Sequence, residues 1–455
     1  GDDQVDHRQQ YKGGLRFMKK KIALVLTMAM LGSCLAGCGQ NAADDSASAE
    51  QKESTAVAQS TEAAQGTEAG EKEWFGTDDG KTVTIRLWGG VQPEYGYDEV
   101  CANFNEQYKD KGVQVEYVRY VNDSSGNLQL ETYLMGGGDV DLFFGYGGRS
   151  KLDKRVESNL LLDMSGMLKD YGFDLETELG ESNMLDYKYD DGSVYGFPTK
   201  YENARWLMIN EDMFKEAGID IPYDGWTYSE FLSAVEKLTH GEGQDKVYGL
   251  CWSRKQNSRY VQLMLNSVLG SYQSYKNDEG TEVNFDNKVY HDGFEMVMKT
   301  LDNGWAIPIE DEYSEDLSVA NTFLEGKCAI TLGIPMMRLC MDQENYPHDF
   351  VTALVPAPVP DDEQYNTEFY RTHAGTPGAG DLMCIAANTK YPEACFEFAM
   401  WYLKGGMAPL VKGGRVPLWN GIDKEAVLDV LKANAEGSID LESMNNYLSV
   451  DRTQG

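Results

Sequence analysis

Strand-like and helix-like stretches alternate early in the sequence, and this alternation constrains the fold more than any other feature. Residues 83–88 and 113–118 carry strand-like patterns, residues 140–144 are mainly apolar, and apolar residues recur at helical spacing between them. Strands joined by helices in this way form parallel sheets with right-handed crossovers. The order strand–helix–strand–helix–strand therefore predicts a parallel α/β unit.

Glycine-containing loops follow the first and the third of these strands. They cover residues 89–95 and 145–150. In parallel α/β sheets, ligands bind at the carboxyl ends of the strands. We therefore expect these two loops to border a ligand site.

A second α/β stretch begins after residue 195. Thr227 and Glu230 have the spacing of a capping box at the start of a helix. Further strands are predicted at 206–210, 248–252, 328–332 and 382–386. The chain has 455 residues, roughly three times the length of a typical domain, so two domains are expected.

The N-terminal part has the features of an export signal. Lysines follow Met18, and a mainly apolar run from Ile22 to Leu35 is shorter than the roughly 20 residues that a membrane-spanning helix needs. A basic start, a short apolar run and small residues before a cysteine predict a secretory signal over residues 18–37. Leu35-Ala36-Gly37-Cys38 looks like a bacterial lipobox, in which Cys38 is acylated and becomes the mature N-terminus. The alternative is an ordinary secreted or core apolar stretch.

Two further N-terminal segments are predicted to lie outside the fold. Residues 1–17 are polar, and Lys12-Gly13-Gly14 can be encoded by a ribosome-binding sequence, so we interpret 1–17 as a non-native leader before a start at Met18. Residues 38–80 are mostly small and polar. Because such a stretch buries too little apolar area to offset its ordering entropy, it is predicted to be a disordered tether.

The composition disfavours several classes of function. With 74 acidic and 40 basic residues the net charge is −34, which disfavours binding to nucleic-acid phosphates. The five histidines form no HExxH motif, and neither a G-x-S-x-G elbow nor a P-loop occurs. We therefore expect no metal, no cofactor and no catalytic residue. A surface glycosidase stays open, because so many acidic residues guarantee accidental carboxylate pairs.

The cysteines of the folded body allow two interpretations. An even number in an exported protein suits three disulfides. Most of these residues, however, lie in apolar strands or helices, where cysteine behaves as a small hydrophobe. We expect mostly free thiols at Cys101, Cys251, Cys328, Cys340, Cys384 and Cys395.

Four motifs in order resemble the family 1 extracellular solute-binding proteins of ABC importers. Asp190–Pro198 is similar to the family's DGKxYGxP, and Ile209–Ile219 is similar to its YNKDLFEKAGL. Phe323–Ile330 is similar to FxxGKAAM, and Gly378-Ala379-Gly380 with Asn388–Ala394 is similar to GGG followed by NSKHPEAA. The resemblance covers about residues 82–435, behind the lipobox.

The resemblance implies a periplasmic-binding-protein-like fold, in which two α/β lobes joined by crossing hinge strands hold a ligand cleft between them. By position, lobe one would be 82–198 plus 318–373, and lobe two 199–317 plus 374–455. The family continues beyond the point where this chain stops, so lobe two is expected to be truncated at its C-terminus.

The resemblance also implies a function. The chain would be the substrate-binding lipoprotein of an ABC importer, a monomer held on the extracellular side of the membrane by a lipid at Cys38. It would capture a carbohydrate, and specifically an oligosaccharide, by hinge closure and deliver it to the permease. A binding lipoprotein for a non-sugar solute, such as a peptide or a polyol phosphate, is the alternative.

Sugar recognition needs flat aromatic rings for the CH faces and polar or charged groups for the hydroxyls. The matching loops supply candidates: Gln92, Glu94, Tyr95, Tyr146, Arg149, Glu202, Asn203, Trp252, Tyr260 and Trp419. Gly378 and Gly380 could turn backbone N–H groups towards the ligand. Simple packing or a solvated rim is the alternative for each side chain, and a plain turn for the glycines. Met336 stands where the family often has a further aromatic residue.

Overall fold

The computed structural model describes residues 74–121, 127–201, 206–251, 283, 286, 288–315, 317–332, 337–372 and 379–449. The predicted leader, the signal peptide and the tether up to residue 73 lie outside these ranges. The strands in chain order are β1 Val83–Gly89, β2 Val113–Arg119, β3 Leu142–Gly145, β4 Lys200–Tyr201, β5 Leu207–Asn210, β6 Tyr248–Cys251, β7 Cys328–Thr331, β8 Thr352–Val355, β9 Ala379–Gly380 and β10 Leu382–Ile385.

Helices connect these strands. In chain order they are α1 Tyr97–Gln107, α2 Leu128–Met135, α3 Gly148–Glu157, α4 Ser165–Tyr171, α5 Leu175–Leu179, α6 Glu181–Met184, α7 Glu211–Glu216, α8 Tyr228–Leu238, α9 Lys288–Asp302, α10 Ile309–Ser314, α11 Met337–Met341, α12 Glu368–Thr372, α13 Pro392–Trp401, α14 Lys424–Ala435 and α15 Leu441–Ser449. Short 3₁₀ turns occupy Pro93–Tyr95, Gly243–Asp245 and Ala408–Gly413, and a π turn, Tyr402–Gly406, follows α13. Among the described helices, none has the length and the apolar character that crossing a bilayer requires.

The first sheet has the strand order β10-β3-β1-β2. β1 pairs in parallel with both β2 and β3, so the predicted parallel α/β unit is confirmed. β10 closes the other edge by pairing antiparallel to β3. The hydrophobic core beside this sheet is formed by side chains of β1–β3, α1 and α13. We call this part of the molecule the first lobe.

The second sheet has the strand order β6-β7-β5-β8. β5 lies between β7 and β8 and runs antiparallel to both, while β6 and β7 are parallel. α8 packs on one face of this sheet, and its predicted capping box is confirmed by reciprocal bonds between Thr227 and Glu230. α14 and α15 contribute to the core on the other face. We call this part the second lobe.

Three short stretches of chain lie side by side near the passages of the chain between the lobes, and we call them the first, second and third crossing segments: residues 199–201, 379–381 and 415–418. β4 and β9 pair antiparallel, with Lys200 opposite Gly380. The third segment joins them through Tyr201 N donating to Val416 O at 3.0 Å and Leu418 N donating to Thr199 O at 3.1 Å. Backbone hydrogen bonds therefore bind all three segments together.

The strand pairing differs from the partition expected from the sequence. Residues 318–373 were expected in lobe one, but β7 and β8 belong to the second sheet. Residues after 374 were expected in lobe two, but β10 and α13 belong to the first lobe, and only the part from α14 onwards packs with the second. The expected partition is wrong for these strands because β5 pairs with two strands that lie more than a hundred residues further along the chain.

The folded part also begins earlier than expected. Phe75 N donates to Lys111 O at 2.8 Å, and the Phe75 side chain packs against the first-lobe core. Trp74 and Phe75 supply the apolar area that the preceding residues lack. Residues 74–80 therefore belong to the fold and not to the tether.

The cysteine prediction is confirmed for all six residues of the body. They are free thiols, and all are buried. Cys251 lies beside the hydroxyls of Thr331 and Thr322, with Sγ–Oγ1 distances of 3.2 and 3.4 Å. The thiols therefore serve as small core side chains.

Candidate functional site

The carboxyl ends of β1 and β3 lie at the same edge of the first sheet. The loop after β1 forms the short turn Pro93–Tyr95, which Gly96 ends at φ +119°, a left-handed conformation that suits glycine. After β3, Gly147 at φ +102° precedes α3. These turns place Tyr95 and Tyr146 at the edge where a ligand site is expected.

A cluster of three charged residues, two buried and one largely buried, lies beside this edge, with one residue on each crossing segment. We call Lys200, Asp381 and Arg415 the charge cluster. Arg415 Nε donates to Asp381 Oδ2 at 3.0 Å, and Lys200 Nζ lies 4.0 Å from Asp381 Oδ1. Burial raises the pKa of Asp381, but Lys200 and Arg415 outweigh it and hold that pKa below its ordinary value of 3.8. The carboxylate is therefore ionised and binds the crossing segments to one another.

Tyrosine side chains surround the charge cluster on the first-lobe side. The guanidinium carbon of Arg415 lies 5.9 Å from the ring centroid of Tyr97, and the hydroxyls of Tyr97 and Tyr402 interact with each other. The Tyr146 hydroxyl is buried and has no hydrogen-bond partner among the described residues. Burial raises the pKa of Tyr97 to about 12 and raises the pKa of Tyr146 well above its ordinary value, so these hydroxyls keep their protons and can act as donors.

The second lobe contacts this region through α11. The guanidinium carbon of Arg338 lies 4.8 Å from the ring centroid of Tyr95, a cation–π contact, and Tyr346 interacts with the Tyr95 hydroxyl. Met337 packs against Gly414, which precedes the third crossing segment. Burial, and then repulsion from Arg415, lowers the pKa of Arg338. Two guanidinium groups, one from each lobe, therefore lie near each other.

The family model for the bacterial extracellular solute-binding proteins matches residues 89–404. This match covers more than half of the chain. The chain belongs to this family.

Solved structures of other proteins have the same fold. An ABC substrate-binding protein from Listeria monocytogenes in complex with cycloalternan is similar with a TM-score of 0.61 and 18% identity, over 80% of this chain and 87% of that one. The GacH receptor of Streptomyces glaucescens, solved unliganded and with acarbose, gives 0.58 and 14%, over 82% and 93%. A solute-binding protein from Thermotoga lettingae bound to α-D-tagatose gives 0.57 and 19%, over 79% and 85%. At these identities the similarity supports the two-lobed fold.

Some of the ligand-binding residues predicted from the sequence lie near one another in this solute-binding protein. Tyr146 lies near Asp381 and Arg415 of the charge cluster, and Gly380 pairs with Lys200. Tyr95 contacts Arg338, which in turn lies near Arg415. Gln92 is half-buried and Glu94 exposed, both on the loop that carries Tyr95. The part that these residues play in ligand binding stays a prediction.

Two other predicted residues make contacts that correspond to the packing alternative. Arg149 donates to Asp153 at 2.6 Å and to the carbonyls of Asp186 and Lys188, which fixes α3 to the segment after α6. Trp419 Nε1 donates to Glu178 Oε2 at 2.8 Å and packs on the first-lobe core. Neither belongs to the group around the charge cluster.

The remaining candidates lie outside the described residues. They are Glu202, Asn203, Trp252, Tyr260, Gly378 and the lipidation candidate Cys38. Their expected roles stay predictions. In the part of the chain that the structure describes, no group of three or more His, Cys, Asp or Glu side chains is arranged to hold a metal ion.

Sequence reasoning missed the charge cluster itself. One signal was present, since Asp381 directly precedes the apolar strand β10 and Lys200 directly follows Phe197-Pro198-Thr199. A charged residue in such a place needs a partner when it is buried. The identity of the partner follows only from the pairing of the crossing segments, because Arg415 lies 34 residues beyond Asp381.

Proposed function

We propose that this solute-binding protein captures a carbohydrate, and more narrowly an oligosaccharide, between its lobes and presents it to the permease of an ABC importer. One observation carries the proposal. Tyrosine side chains and charged hydrogen-bond donors lie close together where the carboxyl ends of the first-sheet strands approach the crossing segments. Aromatic rings suit the CH faces of sugars, and charged donors suit their hydroxyls. The relatives solved with cycloalternan, acarbose and tagatose support a sugar as the solute.

Hinge closure is the motion we propose for capture. The three crossing segments lie together near the passages of the chain between the lobes, and contacts from both lobes meet at Tyr95 and Arg338. A ligand that touches both lobes binds the closed form more tightly and therefore shifts the population towards it. The permease would then recognise the closed form.

We further propose that the protein is held at the outer face of the membrane by a lipid at Cys38 and does not change its ligand chemically. The Leu35–Cys38 tetrapeptide behind a basic, apolar segment supports the lipid anchor. The family, which is one of solute-binding proteins, supports binding without turnover.

A thermal-shift screen against monosaccharides and oligosaccharides, followed by calorimetry, tests the sugar proposal. We expect an oligosaccharide to raise the melting temperature, since a ligand at about 100 times its Kd stabilises the native state by about 2.7 kcal/mol. A shift with a peptide or a polyol phosphate and with no sugar would contradict the proposal. Chromatography of the recovered ligand tests for turnover, and any cleaved product would make the protein an enzyme.

A further inference from the structure

The side chain of Tyr117 lies against the loop that joins β1 to α1, and the strand register explains why. Tyr117 is opposite Leu87, two residues before β1 ends at Gly89. Because residues two apart in a strand point to the same face, the Tyr117 side chain and the Gly89 position share one face of the sheet. A Cβ atom on Gly89 would lie 2.4 Å from the Tyr117 hydroxyl oxygen. The glycine therefore leaves room for the Tyr117 side chain to reach the loop.

The hydroxyl of Tyr117 bonds to both backbone polar groups of Val91. It donates to Val91 O at 2.7 Å and accepts from Val91 N at 3.3 Å. Burial raises the pKa of Tyr117, so the hydroxyl keeps the proton that it donates. Val91 lies beyond Gly89 and Arg119, the last pair of the β1–β2 ladder, so the strand pairing does not reach its N–H and C=O. One side chain supplies the partners that these two groups need.

The ring of Tyr117 contacts the far end of the same loop. It stacks on the ring of Tyr97, with 4.4 Å between the centroids and 11° between the planes. Tyr97 is the first residue of α1, and its side chain is buried. The Tyr117 side chain therefore contacts the loop at its start, Gly89, at its middle, Val91, and at its end, Tyr97.

This loop carries three of the ligand-binding residues predicted from the sequence, Gln92, Glu94 and Tyr95. Tyr95 N donates to Gln92 O at 3.2 Å, which closes the turn that directly follows Val91. A loop that is ordered before a ligand arrives loses less conformational entropy when the ligand binds. A side chain that holds this loop in place therefore raises the affinity without touching the ligand.

We propose that Tyr117 is a positioning residue for ligand binding, which holds the loop between β1 and α1 in its binding conformation before the ligand arrives. Its hydroxyl is used by Val91 and its ring lies against Tyr97, so it acts through the loop. The inference rests on the proposed function, because it assigns this loop to the same ligand site.

Hydrogen exchange of the ligand-free protein tests whether Tyr117 holds the loop. Tyr117→Phe keeps the ring and removes both bonds to Val91, so we expect the backbone amides of residues 90–96 to exchange about 10-fold faster than in the wild type. Tyr108→Phe is the matched control. Tyr108 is a buried tyrosine of the same core whose hydroxyl donates to Glu397 on α13, so its loss should leave the exchange of the loop unchanged. Unchanged loop exchange in Tyr117→Phe, or an equal rise in both variants, would overturn the inference.

Calorimetry tests whether the held loop contributes to binding. It is run with raffinose, maltotriose, xylotriose and their constituent monosaccharides, and the tightest binder of the wild type is then compared between the variants. We expect Tyr117→Phe to bind it about 10-fold more weakly and Tyr108→Phe to bind it as the wild type does. A merely structural role would lower the melting temperature of both variants and leave the affinity unchanged.

The outcomes separate this inference from the sugar proposal. Faster loop exchange in Tyr117→Phe without a loss of affinity would overturn the inference and leave the sugar proposal standing. Equal losses of affinity in Tyr117→Phe and Tyr108→Phe would do the same. If no saccharide of this panel or of the thermal-shift screen binds the wild type, the sugar proposal is overturned, and the exchange of residues 90–96 alone decides whether Tyr117 holds the loop.

Discussion

Asp381 shows how much can depend on one side chain. It sits at φ +51°, a left-handed conformation that is uncommon outside glycine, and its carboxylate is the partner of Arg415 and Lys200. A buried ion pair is a weak source of net stability, but removing one partner deprives the other charge of its compensation and is strongly destabilising. Removing the Asp381 carboxylate should therefore destabilise the contact between the crossing segments.

Replacing Asp381 tests this role. Asp381→Asn is expected to lower the free energy of unfolding by about 3–5 kcal/mol, because Arg415 loses its hydrogen-bonded counter-charge in a largely buried place. Urea unfolding followed by tryptophan fluorescence measures the change. Asp139→Asn is the matched control, since Asp139 is 79% exposed in its pair with Arg86, and a loss there should stay below about 1 kcal/mol. Equal losses in the two variants would contradict a special role for Asp381.

The same residue predicts a pH dependence. The pKa of Asp381 is lower in the folded protein than its ordinary value of 3.8, so its ionised form is stabilised by folding. This contribution is fully present above the unfolded pKa and is lost as the pH falls through the folded pKa. The stability difference between the wild type and Asp381→Asn should therefore be constant from about pH 7 to pH 5 and should shrink below about pH 4. Paired unfolding curves at each pH measure it, and a difference that grows on acidification would refute the assignment.

Single residues near the site were only partly predictable from the sequence. Tyr95 and Tyr146 were predicted because they follow strands whose carboxyl ends meet at one edge. Arg149 follows the same strand as Tyr146, yet its side chain bonds to Asp153 and to carbonyls after α6. Position along a strand fixes where a backbone lies, whereas the direction of a long side chain depends on partners that are distant in sequence.

At the scale of elements, the burial of the cysteine side chains follows from the strands and helices on which they lie. Cys328 lies on β7 and Cys384 on β10, while Cys101 and Cys395 lie on helix faces that pack against the first sheet. These positions were predictable because apolar runs indicate burial, and a buried cysteine needs no covalent partner.

The thiols should accordingly be unreactive in the folded protein. Burial raises the pKa of Cys101, Cys340 and Cys384 to about 12, so almost no thiolate forms at neutral pH, and reagents cannot reach the sulfur. We expect N-ethylmaleimide to label none of the six body cysteines without denaturant and all of them in denaturant without a reductant. Peptide mass spectrometry locates each label. A cysteine that reacts in denaturant only after reduction would reveal a disulfide.

The division of the chain between elements was the least predictable feature. Residues 328–332 and 382–386 both indicate buried strands, and the pattern is the same whichever sheet they join. The choice is made by long-range pairing: β7 joins β5 and β6, whereas β10 joins β3. Hydrophobic periodicity reports burial and local conformation and contains no information on the partner strand.

For the whole molecule, the fold and the family could be predicted because several motifs with fixed order agree. The alternating elements indicate parallel α/β units, and the segments Asp190–Pro198 and Phe323–Ile330 resemble those of solute-binding proteins. The family model over residues 89–404 confirms the family. The pairing within the charge cluster, in contrast, depends on how the crossing segments meet, so no local pattern indicated which residues are partners.

The membrane attachment of the whole protein makes a last prediction. If Cys38 is acylated after removal of residues 18–37, the exported chain carries two or more acyl chains, which anchor it stably where a single chain would bind only marginally. In a bacterial host supplied with labelled palmitate, the wild type should be labelled and remain in the membrane fraction, and Cys38→Ser should lose both properties. Cys34→Ser is the matched control, since Cys34 lies in the same apolar segment four residues earlier and would be removed with the signal. Label on Cys38→Ser, or its loss in Cys34→Ser, would contradict anchoring at Cys38. The predicted pair of results would explain the acidic, polar stretch of sequence after Cys38 as a spacer from the membrane surface.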